Sequence, residues 1–86
     1  MNKIYIYHHM GLGDHISCNA LVRGIIKKNK KNIYYLFCKI NLSESIKFMY
    51  RDIKNLKLIP VKSDIEVEKY LSRLRSKEKI LRIGLE

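Results

Sequence analysis

The residues able to do chemistry concentrate in one stretch, His8-His9-Met10-Gly11-Leu12-Gly13-Asp14-His15. Asp14 has the clearest use. A carboxylate held in place can take the proton of a hydroxyl nucleophile that comes within about 3 Å of it. Gly11 and Gly13, lacking a Cβ, let a substrate approach the backbone on either side of Leu12. His9 and His15 offer polar ring nitrogens to a sugar hydroxyl or a diphosphate. Asn19 follows more than one helical turn after Asp14 and reaches toward the same mouth. The same residues also have a purely structural use, with Asp14 as a helix cap and the glycines as a tight turn. His8 and His9 are neighbours on a strand, so they point to opposite faces and do not share a ligand sphere.

Several other chemistries are disfavoured. A dinucleotide-binding G-x-G-x-x-G motif would need glycine at the position of Ile16, and no G-K-[S/T] phosphate loop is present. Free amides at a helix N-terminus attract phosphate, but a carboxylate at that cap engages them and repels an anion. No third and fourth ligands accompany the histidines, so no metal site is expected. Cys18 and Cys38 have no C-x-x-C spacing and read as reduced thiols. No cofactor is implied.

The elements that must position this stretch follow in a regular rhythm. Ile4-Tyr5-Ile6-Tyr7 are strong strand formers, and the run is apolar without clear alternation, which predicts a strand over about 3–8 buried on both faces. A helix is predicted over about 15–29, capped by Asp14, with Ile16, Val22, Ile25 and Ile26 on its apolar face. Ser17, Ala20, Leu21 and Gly24 fall at helical spacing, and their small members form a stripe that would let the helix lie close to a sheet. Lys27-Lys28-Asn29-Lys30-Lys31-Asn32 ends it, complementing the helix dipole. A second strand is predicted over 33–38, a short helix over about 42–51 with an Asn41/Glu44 capping box, and a third strand over 56–61. A Ser63/Glu66 capping box then opens a helix over about 64–76, before a last strand over 79–85. The fold class is α/β, a Rossmann-like βαβαβαβ parallel sheet. Its final strand lacks a covering helix, which suggests an incomplete N-terminal domain of a longer protein.

At 86 residues the chain can build one small core but not a two-domain enzyme. Its formal charge of +10 is uneven. Residues 1–63 carry 12 Lys and Arg against three acids, while residues 64–86 carry six against five. A basic excess draws phosphates, nucleic acid or anionic lipid, but the lysines mix with asparagines and form no aromatic-interleaved groove, which favours a solvated lysine surface. No stretch approaches the roughly 20 apolar residues that span a bilayer. The N-terminus opens as a strand, so the expected location is cytoplasmic, including the inner face of the membrane.

The segment HHMGLGDHISCNALVRGI resembles the opening of GT-B-type glycosyltransferases, nearest to those like the heptosyltransferases of glycosyltransferase family 9. Those proteins begin with a strand, a small-residue turn containing Gly-Asp, and a helix. The resemblance covers residues 4–26; beyond them only the strand–helix rhythm agrees. It implies two Rossmann-like domains facing a cleft, with this chain as the acceptor-side domain and a second domain holding a nucleotide-sugar donor. Asp14 would then be the general base for a hydroxyl of a glycan or lipid-linked acceptor. Gly11 and Gly13 would form the turn. His15 stands where those enzymes often have an aliphatic residue. The competing class is a non-catalytic basic module that binds nucleic acid or anionic surfaces, including peripheral association with an anionic membrane. A response-regulator-like domain is disfavoured, because its acidic pair after the first strand and its aspartate after the third are missing.

Overall fold

The computed structural model describes residues 2–74 and 78–83. Four strands, β1 (Lys3–Tyr7), β2 (Ile33–Lys39), β3 (Leu56–Val61) and β4 (Lys79–Arg82), form one all-parallel sheet in the order β3-β2-β1-β4. Three helices connect them: α1 (Leu12–Lys28), α2 (Ser43–Met49, preceded by a 3-10 turn, Ile40–Leu42) and α3 (Asp64–Ser72). This is the Rossmann-like α/β arrangement that the strand–helix rhythm predicts.

Alternation along each strand divides the core in two. Ile4, Ile6, Tyr34, Leu36 and Cys38 leave one face and meet Val22 and Ile26 of α1, Ile46 of α2 and the adjoining Tyr50. Tyr5, Tyr7, Phe37 and Val61 leave the other and meet Val67 and Leu71 of α3. Aromatic contacts reinforce this second face. Tyr5 stacks on Tyr35 with centroids 4.9 Å apart, and Tyr70 meets Phe37 edge-on at 5.4 Å. The Tyr7 hydroxyl donates to Asp64 Oδ1 at the start of α3 (2.8 Å).

β3 is an edge strand that contains Pro60. Tyr34 N donates to Asn55 O at 2.9 Å, which turns the amides and carbonyls of residues 57, 59 and 61 toward β2. Pro60 therefore faces its missing N–H outward, where no ladder bond is lost.

Helix boundaries differ from the expected ones for local reasons. α1 starts at Leu12 with Gly11 as N-cap, so Asp14 is its third residue and not its cap. The Asn41/Glu44 capping box is absent: Leu42 is the N-cap of α2 and has no side-chain bond. The Ser63/Glu66 capping box is also absent: Ser63 is the N-cap of α3 but makes no side-chain cap bond, and Glu66 reaches one residue further back to accept from Lys62 N (2.8 Å). α3 ends at Ser72, where Arg73 N and Leu74 N bond the carbonyls of Tyr70 and Leu71 and tighten the last turn. Its expected continuation over 75–76, and that of the last strand over 84–85, lie outside the described residues.

The small-residue stripe of α1 is the largest departure. Ser17, Ala20, Leu21 and Gly24 are all exposed, while His15, Val22 and Ile26 face the sheet. Among the described residues, nothing beyond the helix's own backbone and the adjacent residues lies within 4 Å of the position a Cβ would take at Gly24. Replacing this mid-helix glycine with alanine removes backbone entropy from the unfolded chain at no steric cost. Gly24→Ala should raise stability by about 0.5–1 kcal/mol. The check is the midpoint of urea unfolding in dilute protein.

Candidate functional site

The connections run from β1 to β2 to β3 in one direction, and the α3 crossover then returns to the far side of β1. α1 and α2 therefore lie on one face of the sheet and α3 on the other. The reversal falls between β1 and β4, joined through Tyr7 opposite Arg82 and through Ile83 N donating to Tyr7 O (3.0 Å). In open α/β sheets the crevice outside the strands' carboxyl ends at such a reversal is where ligands bind. The segment that leaves β1 there is His8 to Asp14.

His8 builds the turn. Its Nδ1 accepts from Met10 N at 2.9 Å, so the ring is neutral with its proton on Nε2. Met10 sits at φ 69°, the left-handed region disfavoured for side chains, and its own side chain is fully buried against the α3 face. That burial offsets a backbone cost of roughly 1–2 kcal/mol. The strained position thus falls on Met10 and not on either nearby glycine. Gly11 has a different reason to be glycine: a Cβ there would stand 2.7 Å from Asp14 Oδ2. That oxygen accepts from Gly11 N at 3.0 Å, fixing the carboxylate over the first turn of α1. Asp14 is half-buried, while His9, Leu12 and Gly13 are exposed around it.

Two expected lining residues are not at this mouth. His15 is fully buried, because it shares the sheet-facing stripe of α1 with Val22 and Ile26. Its positions relative to those two, seven and eleven residues earlier, carry that signal in the sequence. Asn19 is turned along the helix, its Oδ1 accepting from Arg23 Nε at 2.7 Å. Arg23 in turn bonds Asp52 through both guanidinium nitrogens (2.8 and 3.0 Å) and Met49 O (2.7 Å), tying α1 to the end of α2.

Below the loop the structure brings together a pair that sequence spacing misses. The rings of His8 and His15 meet edge to face with centroids 4.3 Å apart. His8 Nε2 and both His15 nitrogens are buried without a hydrogen-bond partner among the described residues. Burial lowers the pKa of both rings, that of His15 to about 4, and the neighbouring Asp14 carboxylate only partly opposes the shift. Both imidazoles are therefore neutral near pH 7. Among the described residues no group of three or more His, Cys, Asp or Glu is placed to hold a metal ion. Cys18 and Cys38 are both free thiols.

No protein-family model, curated protein or solved structure matches this chain. Among the described residues no helix is long and apolar enough to cross a membrane.

The histidine pair sets a pH dependence. The unfolded imidazoles take up protons near pH 6.5, but the folded ones resist until lower pH, about 4 for His15. The unfolded state thus binds more protons in this window. The stability contributed by the neutral pair is complete above about pH 6.5 and is lost as pH falls toward 4. The expected loss from His15 is of order 2–3 kcal/mol, read from urea unfolding at pH 7, 5.5 and 4. His15→Leu should flatten that decline, and a decline as steep as the parent's would assign it to other groups.

Proposed function

We propose that this chain is the acceptor-side part of a glycosyltransferase, with Asp14 as the general base. It would act on a glycan or lipid-linked acceptor, with a nucleotide-sugar donor held by a second domain. The observation that carries this reading is the Asp14 carboxylate. It is pinned through one oxygen to the Gly11 amide and half-exposed at the carboxyl end of β1, at the sheet's reversal point. The hydroxyl of the acceptor gives its proton to the free carboxylate oxygen. The acceptor oxygen then bonds the anomeric carbon of the sugar, and the bond from that carbon to the nucleotide diphosphate breaks, its electron pair leaving with the diphosphate. The exposed His9 and the Leu12–Gly13 backbone line the acceptor's approach. The resemblance of residues 4–26 to the opening of GT-B-type enzymes supports the same assignment.

Asp14→Asn separates base from scaffold. The amide oxygen can still accept from Gly11 N, so the fold and its unfolding midpoint should stay unchanged. Sugar transfer by the protein with its donor domain should fall by about 10²–10⁴-fold. Transfer retained in Asp14→Asn would remove the base role. Acceptor oligosaccharides titrated into the labelled chain should shift the amide signals of His9 and of residues 11–14.

One observation favours a second reading, a basic module that binds nucleic acid. Lys27, Lys30 and Lys54 line a groove of about 440 Å³ at the end of the sheet opposite Asp14. The Arg23 charge in the same groove is already met by Asp52. Three phosphate contacts to a single strand would weaken binding about 20-fold between 50 and 200 mM salt. Fluorescence anisotropy with a labelled oligonucleotide checks this, and Lys54→Ala should make the dependence shallower.

A further inference from the structure

The outward face of α1 is apolar where an outward helix face is ordinarily polar. Leu12, Ile16 and Leu21 are 44%, 61% and 51% exposed. Between them lie Gly13, Ser17, Ala20 and Gly24, also exposed. Beyond the helix's own backbone and the adjacent residues, neither glycine has an atom of the described residues within 4 Å of where its Cβ would stand. No packing contact among the described residues therefore requires glycine at either position.

The pattern has an internal two-fold symmetry. Read outward from the midpoint between Cys18 and Asn19, Ser17 mirrors Ala20, Ile16 mirrors Leu21 and Gly13 mirrors Gly24, while Ile25, opposite Leu12 in this scheme, packs on the sheet-side core. The small residues are spaced four, three and four apart. This spacing forms the seam along which two helices pack at a shallow angle, and side chains this small let the backbones approach closely. A two-fold axis through that midpoint sets the helix antiparallel to a copy of itself, with each small residue of the seam at the level of its mirror position and the flanking charged residues leaning along the edges. Charge agrees with the arrangement. The first turn of α1 carries Asp14 and the last turn carries Lys27 and Lys28. At about 100° per residue Asp14 and Lys28 lie along the same edge of the face. Antiparallel pairing brings Asp14 of each copy beside Lys28 of the partner subunit and opposes the helix dipoles.

We propose that the outward face of α1 is a homodimer interface, in which two copies of this chain pack α1 against α1 in antiparallel fashion about a two-fold axis. The inference does not rest on the activity proposed above, but the two share Leu12, Gly13 and Asp14 at the start of α1, so dimer and acceptor would compete for that end of the helix. A lipid surface fits this face less well. Membrane-surface helices present bulky apolar residues to the acyl boundary, and exposed glycine, serine and alanine add little buried area there.

A single helix pair falls below the interface area of tight dimers, so the association is weak, with a dissociation constant of roughly 10–500 μM. The charge of +10 on each copy opposes it, so added salt strengthens it. Sedimentation velocity across that concentration range, in about 50 and 500 mM salt, is the first test. The expected result is a monomer–dimer equilibrium shifted toward dimer at the higher salt. Ile16→Glu and Leu21→Glu should each abolish the dimer while leaving the circular dichroism spectrum unchanged. Gly24→Ala should weaken the dimer several-fold even as it stabilises the monomer, an effect no purely structural role of Gly24 produces. In a Cys18→Ser background, Ser17→Cys with Ala20→Cys should form a disulfide-linked dimer under mild oxidation. A chain that stays monomeric throughout overturns the proposal, as does a dimer that survives Leu21→Glu. Sedimentation with phosphatidylglycerol vesicles gives the alternative occupant. Vesicle binding by a monomeric chain, lost in Leu21→Glu, would assign the face to lipid and overturn the copy-to-copy interface.

Discussion

Ile4 and Ile6 leave β1 on one side, Tyr5 and Tyr7 leave it on the other, and all four are buried. Covering both sides of this strand requires helices on both faces of the sheet. Right-handed crossovers meet that need only if the chain changes direction. Steps from β1 to β2 and from β2 to β3 lay α1 and α2 on the isoleucine side. The return from β3 to β4 lays α3 on the tyrosine side. The reversal beside β1 is thus the topological consequence of burying that strand twice, and it falls at the carboxyl end from which the His8–Asp14 segment leaves.

The turn out of β1 is tightly built from below. His8 holds Met10 in the left-handed region, and Met10 is anchored in the α3-side core. The next residue, Gly11, both caps α1 and donates to Asp14. One short segment therefore links the core of one face to the helix of the other, with a carboxylate at its outer end and two neutral imidazoles beneath. The orphaned imidazole nitrogens cost stability, since buried polar groups ordinarily find partners. The loop's placement tolerates that cost because the rings occupy the space between α1 and the end of β1.

Charge and apolar surface are segregated on this molecule. Lysines gather at the C-terminal end of α1 and the groove beside it, while the outer face of α1 from Leu12 to Gly24 carries apolar and small residues. Two distinct surfaces follow, one basic and one of apolar and small residues. The Arg23–Asp52 pair lines the basic groove, but its bonds, like that of Asn19 to Arg23, are satisfied within the chain.

Much of the fold was legible locally. The β-branched and aromatic runs located all four strands, and the strand–helix alternation implied a parallel α/β sheet. Turn chemistry was read less well: Asp14 looks like a cap, but the helix begins three residues earlier because Gly11 can occupy the cap position and Asp14 can reach back to its amide. By itself the sequence determined which segments are strands and helices, where the chemistry-bearing residues cluster, and the uneven distribution of charge. These depend on local propensity and side-chain type. Only the tertiary structure decided which face of α1 meets the sheet, because both faces carry apolar residues and packing alone chooses between them. That choice buried His15 against His8, turned Asn19 toward Arg23 and left the glycine-lined face outside. Those contacts join residues on different elements, and the strand order that brings the elements together is a property of the whole sheet.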